Sequence, residues 1–149
     1  MPTHAETQIL PFTAQQMFDL VLDVEKYPEF LPWCVALRVK RRGEQEMFAD
    51  MAVGFKMLRE KYSSHITWNP LPESEGGGYH MHIKDAGGPF KFLETDWKFH
   101  PKGEDVEVDF RIDFEFNSRL LEKTMGAIFT EAAHKMMQAF VKRAEVVYR

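Results

Sequence analysis

The sequence predicts an α+β fold in which a curved antiparallel sheet of roughly six or seven strands surrounds one long C-terminal helix. Alternating apolar and polar residues recur between positions 35 and 116, most clearly in DVEVDFRIDFEF, where every intervening residue is charged. From Asn117 the apolar spacing becomes helical and remains so to about Val147. A helix of roughly 30 residues is near 45 Å long. Since only short helical segments precede it, the sheet has to cover it.

The N-terminal region predicts one strand and two short helical segments. A strand near Thr3–Leu10 precedes FTAQQMFDLVLD, where Thr13 and Gln16 have the spacing of a capping box. The following VEKYPEFLPW contains Pro28 and Pro32, which restrict themselves and the residues before them. We therefore expect broken helical turns rather than a continuous second helix.

The strands of the predicted sheet follow one another with short turns. Turns are predicted at RRGEQE, near Gly54 and at GGP. Residues 69–78 predict a longer mobile loop. One strand carries Leu93, Thr95, Trp97 and Phe99 on one face. The other strands are expected at residues 35–40, 46–55, 57–68, 79–86 and 105–116.

Composition indicates a single globular domain covering residues 1–149. The formal net charge is -4 and 44% of residues are hydrophobic, which argues against disorder and against a DNA-binding protein. One cysteine cannot form an intramolecular disulfide, and this favours a reducing compartment. The N-terminus has neither a signal nor a transit-peptide pattern, so we expect a cytoplasmic protein, with peripheral contact to the inner face of the membrane left open.

Several segments carry a more specific signal than their periodicity. They are YPEFLPWC at residues 27–34, LREKYSSHIT at 58–67, GPFKFLETDWKF at 88–99, FRIDFEFNSRLL at 110–121 and FTEAAHKMMQAFVKRA at 129–144. In this order they resemble the signature stretches of the coenzyme Q-binding START-domain proteins, of the polyketide cyclase/START superfamily. Bacterial members of that family are also named ribosome-association toxins. The resemblance implies a helix-grip fold.

The resemblance also implies an apolar cavity between sheet and helix that accepts ubiquinone or a hydrophobic isoprenoid quinone precursor. Apolar side chains on the inner faces of the strands and of the helix are suitable for lining such a cavity. The same residues could equally pack against one another as a filled core. The residues expected at the cavity and its mouth are Tyr27, Phe30, Leu31, Trp33, Glu60, Tyr62, Tyr79, Met81, Leu93, Thr95, Trp97, Phe110, Ile112, Phe114, Met125, Phe129 and Met136.

The segment YPEFLPWC has two interpretations at this cavity. As a lid that dips into a bilayer, it would leave Phe30, Leu31 and Trp33 partly exposed. As a plug at the open end of the sheet, it would bury all three.

Candidates for catalysis are few, and we expect no catalytic residue, metal site or required cofactor. Glu60 is in phase with Tyr62 and Ile66, so its carboxylate could face inward as a hydrogen-bond acceptor or base, or be paired or turned outward. Cys34 beside Trp33 favours a buried, inert thiol. His80 and His82 share a strand face that lies opposite the apolar set, which favours an exposed face over a metal site.

Three functions follow from these observations. The first is non-enzymatic quinone binding that supports delivery for respiration and ubiquinone biosynthesis. The second is a toxin that regulates translation by binding a ribosomal subunit, for which Lys40, Arg41 and Arg42 and the end of the last helix could provide a basic patch. The third is an aromatic polyketide cyclase or isomerase that uses Glu60 as base.

Overall fold

The computed structural model describes residues 3–31, 33–55, 58–88 and 90–148. Within these residues the chain forms one seven-stranded sheet in the order β1-β7-β6-β5-β4-β3-β2. Every neighbouring pair is antiparallel. The strands are β1 (Thr3–Leu10), β2 (Cys34–Gly43), β3 (Glu46–Phe55), β4 (Leu58–Pro70), β5 (Tyr79–Ala86), β6 (Phe90–Lys102) and β7 (Asp105–Phe116).

The helices are α1 (Ala14–Leu22) and α2 (Arg119–Val147), and a 3₁₀ helix covers Val24–Glu29. The α+β helix-grip prediction is therefore confirmed. The predicted capping box is present, because Thr13 Oγ1 accepts from the Gln16 amide at 3.0 Å and Gln16 Oε1 accepts from the Thr13 amide at 2.9 Å. Pro32, Met57 and Pro89, predicted at a chain joint, a strand end and a turn, lie outside the described residues.

Residues 69–78 are more ordered than the predicted loop. Strand β4 continues to Pro70, and a short 3₁₀ turn occupies Glu73–Glu75. Gly78, with a φ of 82°, allows β5 to begin against β6, because a Cβ there would lie 1.6 Å from the Phe99 carbonyl oxygen. Glycine at this position permits an approach that any other residue would block.

The two halves of α2 pack differently. In the C-terminal half, Ala133, Met137, Phe140 and Ala144 are at most 2% exposed. In the N-terminal half, the apolar residues Met125, Ile128 and Phe129 remain half-buried. The helix packs closely on β7, β1 and α1, which lie at one side of the sheet. Space therefore remains between the helix and the strands at the other side.

In the YPEFLPWC segment the described apolar residues face the core more than the solvent, whereas Pro28 and Glu29 are exposed. Leu31 is 2% and Trp33 7% exposed, while Phe30 is half-buried. The Phe30 ring packs edge-on against Phe140 at 5.2 Å, and the Arg143 guanidinium lies 5.2 Å from the centre of the same ring. Leu31 and Trp33 thus agree with the plug interpretation, and Phe30 occupies the boundary between core and surface.

Candidate functional site

A cavity of about 120 Å³ lies between α2, the 3₁₀ helix and the concave face of the sheet. Its wall combines residues from β2 to β7 with residues from the middle of α2. Leu37, Met51 and Val53 on the sheet side and Ile128 and Met136 on the helix side are half-buried wall residues. The cavity therefore approaches the surface between β2, β3 and α2.

Most residues predicted to form the site lie at this wall. Trp97, Phe110 and Ile112 form its floor on β6 and β7 and are at most 3% exposed. The other predicted residues found at the wall are Tyr27, Leu31, Trp33, Tyr62, Leu93, Thr95, Phe129 and Met136.

Five predicted residues are placed elsewhere by packing. Tyr79 stacks on Phe18 at 4.2 Å between ring centres and donates to Gln15 Oε1 at 2.6 Å, so α1 covers it. Met81 is fully buried in the filled part of the core, and the Phe114 ring lies among the rings of Phe90, Phe116 and Phe129. Phe30 lines a separate groove beside α2, and Met125 is half-buried on α2 but absent from the wall.

Glu60 also does not line the cavity. Its partner across β3 and β4 is Val53, near the end of the sheet where β3 leads into β4, and its side chain is half-buried there. The carboxylate that does face the cavity is Asp85 on β5.

Sequence reasoning missed Asp85, although the alternation in β5 contains the signal. Asp85 has the same parity as Tyr79, Met81 and Ile83, the apolar residues of β5 that lie opposite His80 and His82. Ser64 likewise shares the parity of Tyr62 and Ile66 in β4. Asp85 and Ser64 are thus polar residues within otherwise apolar inward-facing rows.

Asp85 and Ser64 form a polar pair in a mostly apolar wall. They are directly opposite each other in the β4–β5 register, and Ser64 Oγ donates a hydrogen bond to Asp85 Oδ1. Burial raises the pKa of Asp85 to about 6, and the hydrogen bond from Ser64 opposes that shift without cancelling it. Asp85 is half-buried, and it lines the cavity.

Two tyrosines add neutral hydroxyls near this pair. The Tyr27 hydroxyl donates to the Val21 carbonyl oxygen. Burial raises the pKa of Tyr27 and of Tyr62 above their ordinary value, and nearby acidic groups, Asp85 among them, act in the same direction. Both side chains are therefore uncharged at physiological pH.

The other candidates for chemistry do not line the cavity. Cys34 is buried, and burial raises the pKa of its thiol to about 11, which opposes nucleophilic reactivity. His80 Nε2 and His82 Nδ1 each lie 2.8 Å from the same oxygen of Asp96, and His82 Nε2 lies 3.2 Å from Glu94. The two imidazole rings therefore have carboxylate partners on the outer face of the sheet.

One group could hold a metal ion by its geometry. His100, Glu107 and Asp109 place one ligand atom each within 4.8 Å of one another on β6 and β7. His100 Nε2 is 3.3 Å from Asp109, and its Nδ1 is 3.1 Å from the Gly77 carbonyl oxygen. These contacts also satisfy the imidazole without an ion.

No helix of the described residues is long and apolar enough to cross a membrane.

Comparison with known proteins agrees with this architecture. Residues 10–141 match the model of a family described as polyketide cyclase / dehydrase and lipid transport. The chain is 38% identical over 149 residues to the ribosome association toxin RatA of Rickettsia prowazekii, covering 100% of both chains. It is 32% identical over 149 residues to the mitochondrial coenzyme Q-binding protein COQ10 homolog B of Xenopus laevis, covering 97% of this chain and 59% of that protein.

Among solved structures, the 18 kDa protein CC1736 of Caulobacter crescentus superposes with a TM-score of 0.70 at 32% identity, over 99% of both chains. The resemblance inferred from the signature segments is thereby confirmed. Because the family model spans nearly the whole chain and full-length relatives exceed 30% identity, this protein belongs to the polyketide cyclase / dehydrase and lipid transport family.

Proposed function

We propose that this protein binds ubiquinone, or a hydrophobic isoprenoid precursor of it, under α2 without changing it chemically. By doing so it supports quinone delivery for respiration and ubiquinone biosynthesis. The observation that carries the proposal is a cavity wall of aromatic and aliphatic side chains interrupted by Ser64, Asp85 and Thr95. Such a wall suits a ligand with an apolar body and one polar end. The similarity to a coenzyme Q-binding relative supports this choice of ligand.

The cavity volume defines how such a ligand would enter. An apolar protein cavity of about 150 Å³ holds a single benzene ring. At about 120 Å³, the cavity must widen for a substituted quinone ring, and the isoprenoid tail must leave through the opening. The half-buried N-terminal half of α2 is the element that can move outward. Each CH₂ group of the tail that the protein shields from water contributes about 0.8 kcal/mol to the binding free energy.

The composition of the cavity wall supports binding rather than catalysis. Among the described wall residues there is one carboxyl group, and neither histidine nor cysteine is present. Among these residues the Ser–His and Cys–His pairs that activate a nucleophile are therefore lacking. The cyclase alternative relied on Glu60 as base, and that side chain does not line the cavity.

Lipid extraction from purified protein, followed by mass spectrometry, tests the proposal. The protein made in a quinone-producing host should carry ubiquinone or a precursor. Ala132→Trp should abolish the bound lipid, because Ala132 lines the cavity and a tryptophan there would fill it. Ala127→Trp is the matched control, since Ala127 is exposed on the same helix. Repeated absence of quinone from the native protein would refute the proposal.

Binding to ribosomal subunits is the second candidate function. Its support is the full-length similarity to a ribosome association toxin, together with a groove beside α2 that is lined by Lys135, Lys142 and Arg143. Basic side chains of this kind could contact phosphates, although Arg143 Nη2 already lies 2.9 Å from Glu29 Oε1.

Sucrose gradients of ribosomes with added protein test this candidate. Binding would shift the ratio of free subunits to assembled ribosomes, and Lys135→Glu together with Lys142→Glu would remove the shift. An unchanged profile at physiological salt would exclude the function.

A further inference from the structure

We propose that Asp85 recognises the ligand's ring, and that its ionised carboxylate selects a ring hydroxyl, as in a phenol or hydroquinone, over the carbonyl of the corresponding quinone. This proposal rests on the proposed function of the cavity. It specifies which redox form of the ring, hydroquinone or quinone, the cavity binds more tightly.

The strand register places the polar groups together on the inner face. Ser64 on β4 is opposite Asp85 on β5, whose other neighbour in the sheet is Leu93 on β6. Thr95 lies two residues beyond Leu93 and therefore points to the same side, diagonal to Asp85. Ser64 and Thr95 are 7% and 8% exposed. A ligand that enters the cavity meets this cluster as the polar part of an apolar wall.

The carboxylate of Asp85 has fewer partners than its chemistry demands. An ionised carboxylate offers two oxygens with about four acceptor positions. Among the described residues Ser64 is its one hydrogen-bond donor, and no described wall residue carries a positive charge. With a single donor from the described residues, this half-buried carboxylate has acceptor positions left open toward the cavity. A hydroxyl on the ligand would supply a second donor, whereas a quinone carbonyl would bring another acceptor.

The preference should depend on pH, because Asp85 titrates near pH 6. Above that pH the carboxylate accepts from a hydroxyl, and below it the carboxylic acid can donate to a carbonyl. The titratable groups that face it are Tyr27 on the 3₁₀ helix and Tyr62 on β4, both kept neutral by a raised pKa. The wall residues of α2, β6 and β7 are uncharged. Selection for the hydroxyl form should therefore strengthen as pH rises through 6.

The test compares the two redox forms of ubiquinone with a one-isoprene tail, prepared separately and kept anaerobic. Quenching of tryptophan fluorescence reports binding, since Trp33 and Trp97 line the cavity. At pH 8 the native protein should bind the hydroquinone about tenfold more tightly than the quinone, as a charge-assisted hydrogen bond implies. At pH 5 the ratio of the two affinities should fall to about one or below.

Two substitutions assign the effect to Asp85. Asp85→Asn should give about the same affinity ratio at pH 5 and pH 8. Asp50→Asn is the matched control, because Asp50 accepts from Ser63 at 3.1 Å in the same cross-strand arrangement on the outer face. It should retain the native pH dependence. If Asp85→Asn does not fold, Asp85→Ser provides the same comparison.

The outcomes separate this proposal from the one on which it rests. If both forms bind but their ratio is independent of pH, or survives Asp85→Asn, Asp85 is not the selecting group and quinone binding stands. If neither form binds at either pH, the proposed function fails and this proposal fails with it.

Discussion

At the scale of single residues, Asp85 is a carboxyl group that the fold places on a mostly apolar cavity wall. Its inward orientation can be predicted from strand parity, since Tyr79, Met81 and Ile83 precede it at the same spacing. Its raised pKa cannot, because that depends on Ser64 from another strand and on the apolar wall formed by distant segments. Sequence periodicity gives the face of a residue but not what lies opposite it.

The raised pKa of Asp85 predicts a pH-dependent stability. The folded state binds the Asp85 proton more tightly than the unfolded state, with a pKa of about 6 against an ordinary value of 3.8. Stability from this group is therefore complete below about pH 4 and is lost as pH rises through 6, by on the order of 2 to 3 kcal/mol. Asp85→Asn should remove this loss.

Thermal unfolding at pH 4.5 and pH 8 measures the effect. The difference in Tm between Asp85→Asn and the native protein should be larger at pH 8 by about 5 °C. Asp50→Asn provides the control for the loss of a carboxylate on the outer face. A difference for Asp85→Asn that does not change with pH would contradict the burial of this charge.

Cys34 supplies a second prediction at this scale. Its buried thiol has a pKa of about 11, so little thiolate exists at pH 8. Reaction with a chromogenic disulfide reagent should be about a hundredfold slower in the native protein than in urea. Rapid reaction of the native protein would show that the segment around Cys34 opens readily.

At the scale of elements, the apolar stripe of α2 both anchors the helix to the core and lines the cavity. Its span was predictable from the change of period after Phe116. The structure places its N-cap at Ser118, whose Oγ accepts from the Leu121 amide at 3.2 Å. The division into an anchored and a loosely packed half was not predictable, because both halves have helical apolar spacing. The difference arises from which strands lie beneath each half.

This division predicts where substitutions in α2 affect stability. Phe140 is 1% exposed and its ring contacts the rings of Tyr27, Phe30 and Trp97 at 5.1–5.3 Å. Phe140→Ala should lower the free energy of unfolding by about 3 to 5 kcal/mol. Leu120 is 71% exposed, so Leu120→Ala should change it by less than about 0.5 kcal/mol.

Urea denaturation of both variants provides the measurement. Equal losses of stability would contradict the assignment of the C-terminal half of α2 as the anchor. A small loss for Phe140→Ala with an unchanged m-value would contradict it as well.

At the scale of the whole molecule, the topology follows from the sequence more closely than the interior does. The alternation between positions 35 and 116 and the single long helix leave few arrangements that cover every apolar strand face. The seven-stranded sheet within the described residues is one of them. Whether the interior is filled or contains a cavity depends on the distance between α2 and the strands on the side of the sheet away from β1 and β7. That separation is set jointly by β1, β7 and α1, on which the helix rests.

Methyl NMR with ¹³C-labelled methionine tests the central claim, quinone binding in this cavity, most directly. Met51 and Met136 line the cavity, while Met17 is fully buried on α1 away from it. Addition of short-chain ubiquinone should shift the methyl signals of Met51 and Met136 and produce intermolecular NOEs from the ring to them, leaving Met17 unchanged. Saturating quinone that leaves both cavity methyl signals unmoved would contradict the account.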